Sequence, residues 1–156
     1  MIFVYLIVND FFCYSERMKK NIRVVGSIIS HGDKVLMLYR SEKETDPSLW
    51  GIPAGKVDEG ESDTQAVTRE LREETGITLE ENVFNYLGQL DIDYEKVTIQ
   101  FPIFHKDFTV LPDIILDPDE HVDYAWMTPE SILELPNLML DVDKIITDFC
   151  INKLKL

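Results

Sequence analysis

The stretch RELREETG, Arg69 to Gly76, ends a helix on a glycine and places three carboxylates on one side of it. Glu70, Glu73 and Glu74 stand at i, i+3 and i+4, the spacing at which helical side chains are neighbours. Like charges so placed repel by roughly 0.2–0.5 kcal/mol per pair, and the C-terminal end of a helix disfavours anions. The helix opens at Ser62, with Gln65 three residues on as a capping box, and closes at Gly76, a natural left-handed stop. At about 100° per residue, Thr64, Val67, Leu71 and Thr75 form the stripe that faces a sheet. Gln65, Thr68 and Arg72 face solvent, and the three glutamates form a third face flush against the core stripe.

Acids stacked there gain nothing unless a cation joins them. A bound divalent ion turns both penalties into attractions. Hard oxygen donors on a helix suit Mg²⁺ or Mn²⁺.

Outward from this helix the chain reads as strands. IRVVGSIIS (22–30) and KVLMLYR (34–40) are β-rich runs joined by the turn HGD. TDPSLWGIPAG carries two prolines and two glycines and reads as a loop, with a short strand around Trp50 to Ile52. VFNYLGQLDIDY and KVTIQFPIFHKDFTV read as an antiparallel pair, and HVDYAWMTPESILELP as a strand turning into a short helix. DVDKIITDFCINKL is an amphipathic helix with Ile145, Ile146, Phe149 and Leu154 inward. Mixed strands with a few helices predict an α/β class sandwich.

Bulk composition narrows the partners. A chain of 156 residues with 45% hydrophobic residues suits one globular domain. Its 15 Lys and Arg against 29 Asp and Glu give a net charge of −14, which argues against a nucleic-acid duplex or an anionic membrane as partner. A phosphate-bearing small substrate needs cations from outside. Cys13 and Cys150 form no metal-ligand pattern and fit a reducing cytoplasm. The apolar run Ile2 to Val8 is too short to span a bilayer and lacks the flanks of a secretory signal.

Gly55, five residues, Glu61, seven residues, then Arg69-Glu70-Leu71-x-Glu73-Glu74-x-Gly76-Ile77 resembles the Nudix box at every specified position. LYRS and SLWGIPAGK before it and DEHVDYAWMTPE after it are also typical, so the resemblance spans Ile22 to about Pro136. It implies the α/β/α sandwich of Nudix hydrolases with a mixed sheet. It further implies metal-dependent hydrolysis of a nucleoside diphosphate linked to another group. The expected metal ligands are the Gly55 carbonyl, Glu70, Glu73 and Glu74. The catalytic set is Arg69, Glu70, Glu73 and Glu120, in which Arg69 reaches back to Glu61 and fixes the helix start. The general base is left open among Glu70, Glu73 and a residue outside the box.

Outside the box, Glu120 resembles the loop glutamate that in relatives adds a ligand or the base. Beside it, His121 is read as structural. Arg40 is a candidate for a substrate phosphate. Trp50 packs over its loop or stacks on a base, and Tyr94 resembles the tyrosine of dinucleoside-polyphosphate-cleaving relatives. The favoured substrate is a nucleoside triphosphate, cleaved to a nucleoside monophosphate and pyrophosphate. Dinucleoside polyphosphates and nucleotide sugars such as ADP-ribose are the rivals, and a non-catalytic nucleotide sensor is the rival of another class. Oligomeric state, monomer or homodimer, is not readable.

MKKNIRVVGSIIS looks like a fresh start at Met18, so residues 1–17 are expected to be an extension to a domain of residues 18–156. A chain beginning at Met18 is expected to fold, remain soluble and hydrolyse the same substrate with similar kinetics. An insoluble or dead product would place residues 1–17 in the core.

Overall fold

The computed structural model describes residues 19–44, 46–93 and 96–156. The expectations for residues 1–17, Cys13 and Tyr94 lie outside the described residues. In chain order the elements are β1 (Lys20–His31), β2 (Lys34–Arg40), β3 (Trp50–Gly51), β4 (Ala54–Lys56), α1 (Asp63–Thr75), a 3-10 turn (Glu81–Val83), β5 (Asn85–Asp93), β6 (Val97–Asp107), β7 (His121–Met127), α2 (Pro129–Leu133) and α3 (Val142–Ile145). The last runs on as a π-helix, Ile146–Leu154.

β1 is the hub of the sheet. It runs parallel to β6 along its length, antiparallel to β2 at its end, and antiparallel to β4 at Val24, Val25 and Gly26. β2 pairs antiparallel with β3 and β7, and β5 with β6. The sheet is therefore mixed, as expected.

The uninterrupted apolar run of β2 explains the layers. A strand points alternate side chains to opposite faces, and a strand apolar on both faces is covered on both. Val35 and Met37 enter the cluster that holds Ile132, Ile145, Ile146 and Phe149 of the C-terminal helices. Leu36 and Leu38 enter the one that holds Ala66, Val67 and Leu71 of α1. Helices on both faces of one mixed sheet make an α/β/α sandwich.

α1 forms as read, with the reciprocal Ser62–Gln65 capping box and Gly76 left-handed at φ 72°. Its buried stripe is Ala66, Val67, Leu71, Glu74 and Thr75; Ala66 replaces the expected Thr64, which is half-buried. Burying a Val or Leu contributes ~1.5–3 kcal/mol each, more than the repulsion among three glutamates takes away. The apolar stripe wins, and the acids are carried into place by it.

At the C-terminus the expected inward set is revised. Ile145, Ile146, Phe149 and Cys150 are buried, whereas Leu154 is only half-buried. Cys150 takes the buried place beside Ile146 and Phe149, and Leu154 packs at the edge of the same cluster. Burial pushes the Cys150 thiol up to about 12, which keeps it unreactive.

Because Ser62 accepts the Gln65 N–H at 3.2 Å and Gln65 returns the bond at 2.9 Å, the cap is a measurable part of α1. Ser62→Ala is expected to cost about 1 kcal/mol, a fall of roughly 2–4 °C in Tm by calorimetry. An unchanged Tm would remove the cap from the account.

Candidate active site

Arg69 ties together the three pieces of chain around the acidic face. Its Nε and Nη2 donate to the two oxygens of Glu61 at 3.0 and 2.9 Å, a forked pair of the strong, directional kind. Nη2 also donates to the Lys56 carbonyl at 2.9 Å, and Nη1 to Glu70 at 2.7 Å and Glu73 at 3.2 Å. Glu61 in turn accepts the Asp58 N–H at 3.1 Å. The Arg69 guanidinium holds the Glu61 carboxyl below its usual range.

The three glutamates occupy different environments. Glu70 lies under β4, where a Cβ on Gly55 would fall 2.0–2.2 Å from its carboxyl atoms. Only a residue without a side chain permits that approach. Burial raises the Glu70 carboxyl above its usual range, against the pull of Arg69. Glu74 points inward and is 3% exposed. It accepts the Ala54 N–H at 3.0 Å. Burial, then the charges of Glu70 and Glu120, raise it well above the carboxylate range. Glu73 points outward, 49% exposed, between Arg69 and Arg72.

The start of β7 closes the site from the other side. The Glu120 carbonyl accepts the Ser41 N–H at 2.8 Å, fixing the loop. Burial and the neighbouring Glu44 and Asp117 raise the Glu120 carboxyl. His121 is 4% exposed, and burial with the Arg40 charge pushes its imidazole down to about 4. Oxygens of Glu74 and Glu120 and a ring nitrogen of His121 lie within 4.8 Å of one another. Arg40, opposite His121 in the β2–β7 ladder, pairs with Glu44. Its Nε is buried without a partner among the described residues.

Beside this cluster opens a recess whose polar end is Arg40, Glu74 and His121. Its apolar part includes Val24, Ile52, Phe101 and Met139. Met139 reaches the recess because its segment is bonded along β3: Trp50 donates to the Asn137 carbonyl at 2.9 Å, and Met139 donates to that of Trp50 at 2.8 Å. A Cβ on Gly51 would sit 2.5 Å from the Met139 sulfur. Trp50 packs on Tyr39, ring centroids 4.9 Å apart.

Of the residues singled out from sequence, the structure thus brings Gly55, Arg69, Glu70, Glu74, Glu120 and Arg40 to one region and leaves Glu73 at its outer rim. Sequence reading missed His121 as a member of the cluster and Met139 as a wall of the recess. The signal for His121 was its place directly after Glu120 at a strand start. Met139 left no local signal.

A family model, NUDIX domain, matches residues 20–149. The chain belongs to the NUDIX family. It is a hydrolase acting on pyrophosphate bonds. Among curated relatives it is similar to a protein named CTP pyrophosphohydrolase from Escherichia coli (strain K12), 34% identical over 79% of this chain and 87% of the relative. It is also similar to an RNA pyrophosphohydrolase of Caulobacter vibrioides, 30% identical over 70% and 75%. Among solved structures, the MutT protein from Methanosarcina mazei Go1 superposes with a TM-score of 0.74 at 28% identity, covering 90% of this chain and 100% of that one. Among the described residues, no helix of this NUDIX protein is long and apolar enough to cross a membrane.

The Gly55–Glu70 approach yields a direct test. Gly55→Ala is expected to displace the Glu70 carboxylate, lowering turnover about tenfold or more while circular dichroism stays native. Wild-type turnover in that variant would show that the close approach serves no purpose in the reaction.

Proposed function

We propose that this NUDIX protein is a divalent-metal-dependent nucleotide pyrophosphohydrolase that cleaves a nucleoside triphosphate to a nucleoside monophosphate and pyrophosphate. The observation that carries this is the facing of Glu70, Glu74 and Glu120, whose carboxyls all stand above their usual range, chiefly because burial and then neighbouring acidic charges oppose ionisation. Such a group of hard donors, with the glycine cradle at Gly55, fits a divalent cation. Glu70, Glu73, Glu74 and the Gly55 carbonyl would hold it, and it would be Mg²⁺ or Mn²⁺. Held there, a divalent cation would supply charge neutralisation for the phosphate oxygens and acidification of a water.

The chain's own groups do the rest. Arg69 holds Glu61, Glu70 and Glu73 in register. Arg40, at the polar end of the recess, meets a phosphate. Glu120 accepts no side-chain hydrogen bond among the described residues, unlike Glu70 and Glu73, which Arg69 holds. We therefore assign Glu120 the proton from the attacking water. The apolar recess beside the acids suits the nucleoside, and the named activity of the Escherichia coli relative supports a triphosphate substrate.

A substrate panel tests this reading: nucleoside triphosphates, dinucleoside polyphosphates, nucleotide sugars and 5′-triphosphate RNA, each with Mg²⁺. Release of pyrophosphate from the triphosphates is expected, abolished by chelation and restored by metal. Glu73→Gln or Glu74→Gln should lose orders of magnitude in turnover, and Glu120→Gln at least about tenfold. Near-normal rates in both box variants, or activity that survives chelation, would overturn the metal assignment. Preference for another member of the panel would replace the substrate.

A further inference from the structure

We propose that His121 is a nitrogen ligand of the cation, giving a mixed nitrogen and oxygen site that favours Mn²⁺ over Mg²⁺ more strongly than carboxylates alone would. This rests on the metal dependence proposed above and adds a ligand to it.

The distance is the first reason. His121 Nε2 lies 3.9 Å from Glu74 Oε1. That is too long for a hydrogen bond. Two donors that each sit about 2.1 Å from one ion are up to about 4.2 Å apart, so this separation fits a shared cation. Glu120 lies in the same group, all within 4.8 Å, so a cation shared by His121 and Glu74 stands next to the residue assigned the water's proton.

The second reason is that His121 has nothing else to do. The other two histidines of the chain are satisfied: His31 bonds the Phe108 carbonyl at 2.8 Å, and His105 the Ser30 hydroxyl at 2.8 Å. His121 is more deeply buried than either, makes no hydrogen bond through either ring nitrogen among the described residues, and turns its Nε2 toward Glu74. Buried polar groups are normally paired. The backbone aims it as well. The β2–β7 register shifts between Tyr39 and Arg40, at the end where Arg40 faces His121, and such irregularities redirect side chains.

The chemistry then follows. Mg²⁺ keeps oxygen ligands and water, whereas imidazole suits transition metals. Replacing one oxygen by a ring nitrogen tilts selectivity toward Mn²⁺.

The test uses the full chain labelled with ¹⁵N-histidine and loaded with Mn²⁺ alone. Electron spin-echo modulation is expected to show a directly bound imidazole nitrogen whose frequencies change with the label. His31 cannot be its source, because it packs on Trp126, about 17 Å from His121 by strand rise, and His105 is held by Ser30 on β1. Calorimetric titration of His121→Asn should show Mn²⁺ affinity lowered about tenfold or more, with Mg²⁺ affinity lowered less. A spectrum without histidine nitrogen, from protein whose hydrolysis still needs a divalent cation, would overturn the inference and leave the function standing. Failure to bind Mn²⁺, with hydrolysis unaffected by chelation, would overturn both. If the variant does not fold, the wild-type spectrum decides.

Discussion

The whole site depends on burying one carboxylate, that of Glu74, at the seam where the face of α1 meets the core. The side chain is almost fully enclosed, its one hydrogen-bond partner is the backbone N–H of Ala54, and the nearby Arg40, already paired with Glu44, offsets its burial only in part. A buried anion in that position is costly without a countercharge. The cost is borne by the neighbouring Val67 and Leu71, whose burial pins the helix against the sheet regardless of what its acids prefer. Packing thus holds the acids in an arrangement that their own electrostatics oppose, and that opposition makes the face receptive to a cation.

Arg69 supplies the complementary constraint. By binding Glu61, the Lys56 carbonyl, Glu70 and Glu73 together, it joins β4, the loop after it and the helix into one rigid unit. Gly55 can then approach Glu70 closely without the loop drifting. β1 completes the frame, because the same strand carries β4 on one edge and β6 on the other. The Gly55 strand that covers Glu70 and the floor of the recess at Val24 and Phe101 are consequently parts of one sheet.

Much of this was written locally in the chain. The capping box, the Gly76 stop and the period of Val67 and Leu71 place α1 before any tertiary contact is known, and the unbroken β2 run announces two covered faces. What stayed hidden depends on residues far apart in sequence. The helix period puts Glu70, Glu73 and Glu74 on one face, but only the sheet beneath shows that Glu74 turns in and Glu73 turns out. His121 joins the cluster through strand pairing with β2, and Met139 reaches the recess through main-chain bonds to Trp50, neither of which a local pattern encodes. The π-helical winding at the C-terminus was likewise unreadable, since an apolar face with Ile145, Ile146 and Phe149 suits either winding.

The attachment of residues 137–139 to β3 bears on how such a chain diversifies. That wall of the recess is fixed by two main-chain hydrogen bonds to Trp50 and by the seat Gly51 leaves for Met139, and it shares no element with α1. Its side chains can change without moving Arg69 or any box glutamate. Selection for a new leaving group or ring system therefore has a segment of its own to work on, insulated from the machinery that breaks the anhydride.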